Sequence, residues 1–420
     1  ESGLNNTIPL KECLPVSLNQ VDLLSSCDKD KLEKSAQVNL KKLAVLKLNG
    51  GLGTSMGCAG PKSLVNVNAS QTFLDIIIEH IKAINTSYEC DIELLLMNSF
   101  YTDKQTKQHI KQLSVNSFLQ DRVPKIDKLS KSVLTDQNDE SNWNPPGHGN
   151  AYLALYNSGM LDQLIAAGKE YLFISNSDNL GATVNQALFG YFIQSKTEFL
   201  MEVTPKTKLD VKGGALVKKD NHYFLLEQAQ VNKSEIPSFE SIETFSLFNT
   251  NNIWIHLPSF KRYIKNNQLN LPLIFNEKVV NNKPIIQFET AIGSAISFVE
   301  KAAVICVSRD RFLPVKKTTD LFLLQSSLFE KNKDGDITKV DKSKPLPEIQ
   351  FDSTNLDLAT FQKTFETIPD IKALTSLTLN GQFLFKDGVS LVGDVSLINN
   401  SPKPVVIQDK IIKNESLKYD

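Results

Sequence analysis

Apolar residues fall along this chain in two alternating textures. Short runs dense in Leu, Ile, Val and Phe read as buried strands: "LAVLKLN" (43–49), "DIELLLMN" (91–98), "EYLFISNSD" (170–178) and "EFLMEV" (198–203). Between them, longer amphipathic stretches read as helices: "TFLDIIIEHIKAI" (72–84), "TDKQTKQHIKQL" (102–113), "NAYLALYNSGMLDQLIAAG" (150–168) and "TVNQALFGYFIQS" (183–195). Strands that alternate with helices of this length imply parallel pairing and a doubly wound α/β sheet. Ligands of such sheets sit at the carboxyl ends of strands. Three segments fall on that edge. A glycine loop follows the first strand, "SNSDNLGA" (175–182) ends another, and "PPGHGN" (145–150) opens a helix.

The texture changes twice more. Residues 1–40 are polar and read as an N-terminal extension before the main α/β domain over 41–325. The charged stretch 326–350, with "KDGD" and "KPLP", reads as a linker or surface excursion. Beyond it, over 351–420, short strands are broken by Asn-Gly, Asp-Gly and Gly-Asp turns. A spacing of about six residues there suggests a small β-solenoid such as a left-handed β-helix, with a plain antiparallel sheet as the alternative.

Composition narrows the functional classes. The 420 residues are enough for two domains or three, and 46 basic against 47 acidic side chains carry no polyelectrolyte signature. Nucleic-acid binding therefore has no compositional support. The five cysteines (Cys13, Cys27, Cys58, Cys90, Cys306) are odd in number and scattered without a CxxC pair. That argues against a disulfide framework or a zinc site and suits a reducing, cytoplasmic location. No run approaches the roughly 20 apolar residues of a membrane span. The opening "ESGLNNTIPLKE" lacks the order of a signal peptide, though the chain does not start with Met.

The glycine loop is the strongest chemical signal. "LAVLKLNGGLGTSMGCAGPKS" (43–63) places five glycines in the eleven positions from Gly50 to Gly60. Glycines let peptide N–H groups face a phosphate or base edge. A P-loop fails because neither Gly57 nor Gly60 is followed at once by Lys and Ser or Thr. A dinucleotide fingerprint fails because "GLGTSMG" is one residue too long and no ribose-binding acid follows on schedule. A nucleotidyltransferase loop, with glycines around the nucleotide and a lysine after proline, remains beside the bland reading of a tight connection.

The loop keeps company that separates these readings. Together with "PPGHGN", "SNSDNLGA", "DVKGGAL" (210–216), "FNTNNIWI" (248–255), "FETAIGSAI" (288–296) and "RFLPVKKTTDL" (311–321), it resembles the eukaryotic-type UTP–glucose-1-phosphate uridylyltransferases, or UDP-glucose pyrophosphorylases. The motifs keep the family's order, and the resemblance covers most of the chain. It implies a Rossmann-like, GT-A-like mixed sheet with helices on both faces and a small C-terminal β-helix. The implied reaction is attack by a glucose 1-phosphate oxygen on the α-phosphorus of UTP, giving UDP-glucose and pyrophosphate reversibly. Two polyanions must meet, so such a site needs cations and positioning more than a strong base.

The resemblance assigns residues one by one. Lys62, Lys206 and Lys316 are its phosphate cations and catalytic lysines, with Lys317 the neighbour that could replace Lys316. Asp178 is its Mg²⁺ ligand, since Mg²⁺ takes one or two carboxylates plus phosphates and waters; an Asp at a strand end is otherwise often a helix cap. Leu48, Asn49, Gly50, Gly51, Gly53, Thr54, Gln120 and Gly147 line its nucleotide site, with the Gln120 amide offering the donor and acceptor that uracil requires. His148, Asn176, Gly214, Glu227, Asn249 and Asn251 meet the sugar phosphate. His148 positions rather than moves a proton, because a phosphate nucleophile is already ionised at neutral pH. "FNTNN" has a second reading as a turn, since Asn tolerates left-handed backbone.

Three positions depart from the family pattern: Asn150 for Asp, Leu209 for a small residue and Ala215 for Thr. Asn150 is expected at a helix entry, where Asn caps as well as Asp. The family's solenoid mediates subunit contacts, so a homo-oligomer through the C-terminal domain is a possible partner arrangement, and that region is short here. The alternatives are a broader UDP-sugar pyrophosphorylase and a catalytically silent nucleotide-binding regulator. No nucleic-acid or membrane partner is implied.

Overall fold

All seven residues of the strand Leu43–Asn49 are buried, as a continuous apolar run demands of a strand covered on both faces. The computed structural model describes residues 7–134, 139–208, 210–280, 282–332, 335–353 and 357–420. Leu209 lies outside them. The chain divides into two compact units: residues 1–50, 84–176 and 182–312 form one, and residues 51–83, 177–181 and 313–420 the other.

The first unit is built on a mixed sheet. Its central order is Asp22–Leu23, Ala302–Cys306, Phe199–Pro205, Leu247–His256, Tyr171–Asn176, Leu43–Asn49, Glu93–Asn98 and Asn116–Leu119. Leu43–Asn49 pairs in parallel with both neighbours, setting Leu48 opposite Asn176 on one side and Asn49 opposite Asn98 on the other. The four expected strands are present. Uniform parallel pairing is corrected by Leu247–His256, which runs antiparallel between Tyr171–Asn176 and Phe199–Pro205. This is the "FNTNN" segment, so it is a strand and not a turn.

Apolar side chains distant in sequence meet on this sheet, including Leu46, Ile174, Met201, Ile253 and Phe260, each at most 1% exposed. Burying each such side chain contributes about 1.5–3 kcal/mol. The stretch expected as one helix over 150–168 is two, Ala151–Asn157 and Met160–Ala166, because Gly159 takes φ 78° between them. The N-terminal residues add edge strands Leu14–Pro15 and Asp22–Leu23, and the helix Lys29–Gln37.

In the second unit, Glu348–Phe351, Asp370–Asn380 and Ser390–Asn399 pair in parallel, and Ile411–Lys413 and Ser416–Tyr419 both add to the last of these. Phe383–Phe385 and Val405–Ile407 form a second parallel pair. Parallel pairing throughout excludes the antiparallel alternative for this region. Phe322, Phe361, Phe365 and Phe385 form an aromatic core, with centroids 4.9 Å apart for Phe322 and Phe365 and 5.0 Å for Phe365 and Phe385. Within 326–350, Phe329–Lys331 and Ile337–Lys339 pair as an antiparallel hairpin. No helix among the described residues is long and apolar enough to cross a membrane.

Candidate active site

The site residues fall into two groups, one in each unit. In the second unit the glycine loop folds back on itself. Leu52 bridges Pro61, the Lys62 N–H donates to Gly51 O at 3.2 Å, and the Cys58 N–H donates to Gly53 O at 3.0 Å. A 3-10 turn over Thr54–Met56 buries Met56 and ends at Gly57, whose φ is 65°. Pro61, with φ −57°, leads into a second 3-10 turn that begins at Lys62. This geometry aims the Lys62 ammonium at Asp178, with Nζ 2.6 Å from Oδ2.

Asp178 is therefore held by a cation and caps no helix; the following helix, Gln186–Ser195, takes its cap from Asn185. The strand-end segment is stitched to the chain before Lys316. The Val315 N–H donates to Asp178 O at 3.3 Å, and the Leu313 N–H donates to Asn179 Oδ1 at 2.8 Å. Ser55 Oγ of the glycine loop donates to Lys316 O at 2.9 Å. Lys62, Asp178 and the backbone of Lys316 are thus brought together from sequence positions far apart. Lys316 itself is exposed, its N–H bonded to Asp320.

Among the described residues no group of three or more His, Cys, Asp or Glu side chains could enclose a metal ion. The half-buried Asp178 carboxylate, with a side chain 20% exposed, fits the one-carboxylate manner in which Mg²⁺ is held when phosphates and waters complete its shell.

In the first unit, Leu48 and Asn49 end their strand. Asn49 is 2% exposed, and its amide donates to Asn98 Oδ1 at 2.8 Å and Thr106 Oγ1 at 3.0 Å. Its side chain therefore braces the scaffold. Gly50 follows, lying against the buried amide of Gln120. Gly147 and His148 are strapped to the 288–296 segment: the Thr290 N–H donates to Pro146 O and the Gly149 N–H to Thr290 O. The Ile292 N–H donates to His148 Nδ1 at 2.9 Å, so the ring is neutral with its proton on Nε2. Burial agrees, pulling the His148 pKa down to about 4. A neutral Nε2–H donor is suited to holding a phosphate oxygen.

Asn150 stands at the helix entry but does not cap it. Its Oδ1 accepts from the Asp121 N–H and its amide donates to Asp121 Oδ2, so the capping expectation is corrected. Asn249 and Asn251 clasp each other where Asn251 adopts φ 59° within the strand. A side chain at Gly214 would collide with the Glu227 carboxyl, its ideal Cβ falling 2.7 Å from Oε1. Burial raises the Glu227 pKa to about 7. Asn176, at a strand end, is half-buried. Ala215 is fully buried and opens a strand opposite Phe248.

Lys206 is 7% exposed, its Nζ 4.8 Å from the Phe239 ring centroid and 3.5 Å from Phe239 O. Burial lowers its pKa, against the pull of Asp210 and Glu240. Within this unit its ammonium is engaged by Phe239 and does not join His148, Gln120 or Asn249.

Sequence reasoning missed a buried ion network in the same unit. Glu202, 0% exposed, receives Arg311 Nε at 2.6 Å and Nη2 at 2.8 Å, Trp254 Nε1 at 2.8 Å and Asn252 Nδ2 at 3.1 Å. Lys47 donates to Ser175 Oγ and Ala182 O, both at 2.7 Å, and burial beside Arg311 pulls its pKa down to about 7. The available signal was a single charge inside each apolar strand, "LAVLKLN" and "FLMEV".

The family profile described as UTP–glucose-1-phosphate uridylyltransferase matches residues 4–392. UTP–glucose-1-phosphate uridylyltransferase 2 of Dictyostelium discoideum is 44% identical over 370 residues, 86% of this chain and 73% of that protein. The Solanum tuberosum UTP–glucose-1-phosphate uridylyltransferase is 41% identical over 90% of this chain and 81% of its own length. Among solved structures, the UDP-glucose phosphorylase of Trypanosoma brucei superposes with a TM-score of 0.86 at 35% identity, covering 100% of this chain and 93% of that one. A mutant UDP-glucose pyrophosphorylase of Leishmania major in complex with UDP-glucose gives 0.86 at 33% identity, over 99% and 92% of the two chains. By motif order, fold and these relatives, the chain belongs to the UTP–glucose-1-phosphate uridylyltransferase family.

Proposed function

We propose that the chain joins UTP and glucose 1-phosphate into UDP-glucose and pyrophosphate, with Lys62 and Asp178 as its central pair. The observation that carries this reading is the 2.6 Å contact between Lys62 Nζ and Asp178 Oδ2, formed between the glycine loop and a strand-end acid. A cation and an anion so paired can each exchange the other for a ligand, Lys62 for phosphate oxygens and Asp178 for Mg²⁺. When bound, Mg²⁺ neutralises phosphate charge and draws two polyanions together. Lys316 and Lys206 supply further positive charge to the phosphates, Lys206 after leaving Phe239. The loop residues Gly51, Gly53 and Thr54 present backbone to the nucleotide, while Leu48, Asn49, Gly50, Gln120 and Gly147 frame the uracil.

His148 donates its Nε2–H to the sugar phosphate and needs no proton transfer, because the nucleophile is already ionised. Asn176, Gly214, Glu227, Asn249 and Asn251 read the glucose hydroxyls. We also read the parallel strands beyond 348 as a small β-helix and a subunit-contact module, and retain 1–40, 41–325, 326–350 and 351–420 as the modules of the sequence. The five free cysteines support a cytoplasmic enzyme.

Pyrophosphate release by the purified chain with UTP, Mg²⁺ and either glucose 1-phosphate or galactose 1-phosphate tests the reading. Release with glucose 1-phosphate alone is expected. Equal efficiency with both sugars would make it a broader UDP-sugar enzyme, and no release with either would leave nucleotide binding as its role.

A further inference from the structure

Uracil and cytosine present opposite patterns on the edge a glutamine reads: uracil an N3–H donor and O4 acceptor, cytosine an N3 acceptor and an amino donor. A side-chain amide carries its oxygen and nitrogen on one planar group, and a half-turn exchanges them. A glutamine free to turn therefore pairs with either base. Selectivity for uracil requires something that fixes the amide.

The surroundings of Gln120 hold such a device. Its N–H donates to Asn98 O at 2.8 Å, which continues the strand pairing between Glu93–Asn98 and Asn116–Leu119 and fixes its main chain. Its amide occupies the space that a side chain at Gly50 would fill, since an ideal Cβ there falls 2.4 Å from Gln120 Nε2. The Gly50 backbone therefore bounds one side of the amide, and a shift of that backbone changes the room in which the amide can turn. That backbone is held by a turn directly after Asn98. Ser99 Oγ donates to Gly50 O at 2.8 Å, and Thr102 Oγ1 donates to Asn49 O at 2.7 Å. The Ser99 N–H donates in turn to Thr102 Oγ1 at 3.0 Å, and both residues are 0% exposed. Two consecutive carbonyls are thus fastened by two buried hydroxyls where the first strand becomes the glycine loop.

We infer that Ser99 and Thr102 are positioning residues for nucleobase selection: by fixing the Asn49 and Gly50 peptides beneath Gln120, they set the preference for uracil over cytosine. This rests on the reading of Gln120 as the base-contacting amide. Neither hydroxyl touches the nucleotide; each acts through Gly50 and Gln120. A purely structural role would alter stability and leave the ratio between two nucleotides unchanged.

The test is steady-state kinetics of the full chain with glucose 1-phosphate, Mg²⁺ and either UTP or CTP, for wild type, Ser99→Ala, Thr102→Val, Thr102→Ser and Gln120→Ala. Ser99→Ala and Thr102→Val should each lower the UTP-to-CTP ratio of kcat/KM by about five- to tenfold, the net worth of one hydrogen bond. Thr102→Ser, which keeps the hydroxyl, should restore the ratio, and the KM for glucose 1-phosphate should not move. Should Thr102→Val fail to fold, Ser99→Ala, which removes one oxygen atom, carries the test. A ratio within about twofold of wild type in both hydroxyl variants, with Gln120→Ala still lowering it, overturns the inference alone. A ratio unchanged in Gln120→Ala overturns the reading of Gln120 and the inference with it.

Discussion

Two ion pairs in this molecule have the same 2.6 Å separation and different surroundings. Arg311 and Glu202 are 8% and 0% exposed, and both carboxylate oxygens are saturated by Arg311, Trp254 and Asn252. Lys62 and Asp178 are 14% and 20% exposed and share one side-chain contact. The first pair has no capacity left for a ligand, and breaking it would strand a charge in the core. The second is open enough to trade partners, as the proposed phosphate and metal chemistry requires. Distance alone separates neither case; saturation and access do.

The sharpest way to break this contrast is to remove the half-buried acid of the second pair. Asp178→Ala should lower kcat by about 10²–10³-fold, the scale of losing one preorganised electrostatic group, while circular dichroism shows the fold intact. Glu202→Gln should do the reverse. It should cost about 3–5 kcal/mol of unfolding free energy in a urea titration, and turnover per folded molecule should change little. Lys62→Ala should change stability least, by about 1 kcal/mol or less. A large stability loss there would place both pairs in one class.

His148 and Glu227 sharpen the contrast through pH, with opposite signs. The folded His148 pKa of about 4 lies below the ordinary 6.5, so its contribution is fully present above 6.5 and is lost as pH falls toward 4. The folded Glu227 pKa of about 7 lies above the ordinary 4.5, so its contribution is present below 4.5 and is lost as pH rises through 7. Urea titrations across pH 5 to 8 should therefore show His148→Gln gaining on wild type at the acid end. Glu227→Gln should gain at the alkaline end and raise the KM for glucose 1-phosphate.

What could be read from the sequence follows from how locally each feature is encoded. Leu43–Asn49 is a seven-residue apolar run and declares itself a strand. Leu247–His256 hides, because Asn249, Asn251 and Asn252 make it look like a turn. Asn252 is spent on Glu202 and the other two on a clasp at the strand's irregularity. Two-residue strands such as Asp22–Leu23 carry no periodicity at all. The glycine loop and its lysine were legible as a motif, as was Asp178 as a strand-end acid. Their contact, across 116 residues, exists only once the chain is folded. Asn49 shows the opposite limit: its motif position suggested a ligand contact, while its side chain turns into the scaffold.

The most direct test of the central claim is to measure turnover and thermal unfolding of Lys62→Ala side by side with wild type, with UTP, glucose 1-phosphate and Mg²⁺ present in the assay. A loss of kcat of about 10²–10³-fold with an almost unchanged Tm is the expected result. Near-normal kcat per folded molecule with a collapsed Tm would contradict it, and would make the pair a structural strut like Glu202 and Arg311.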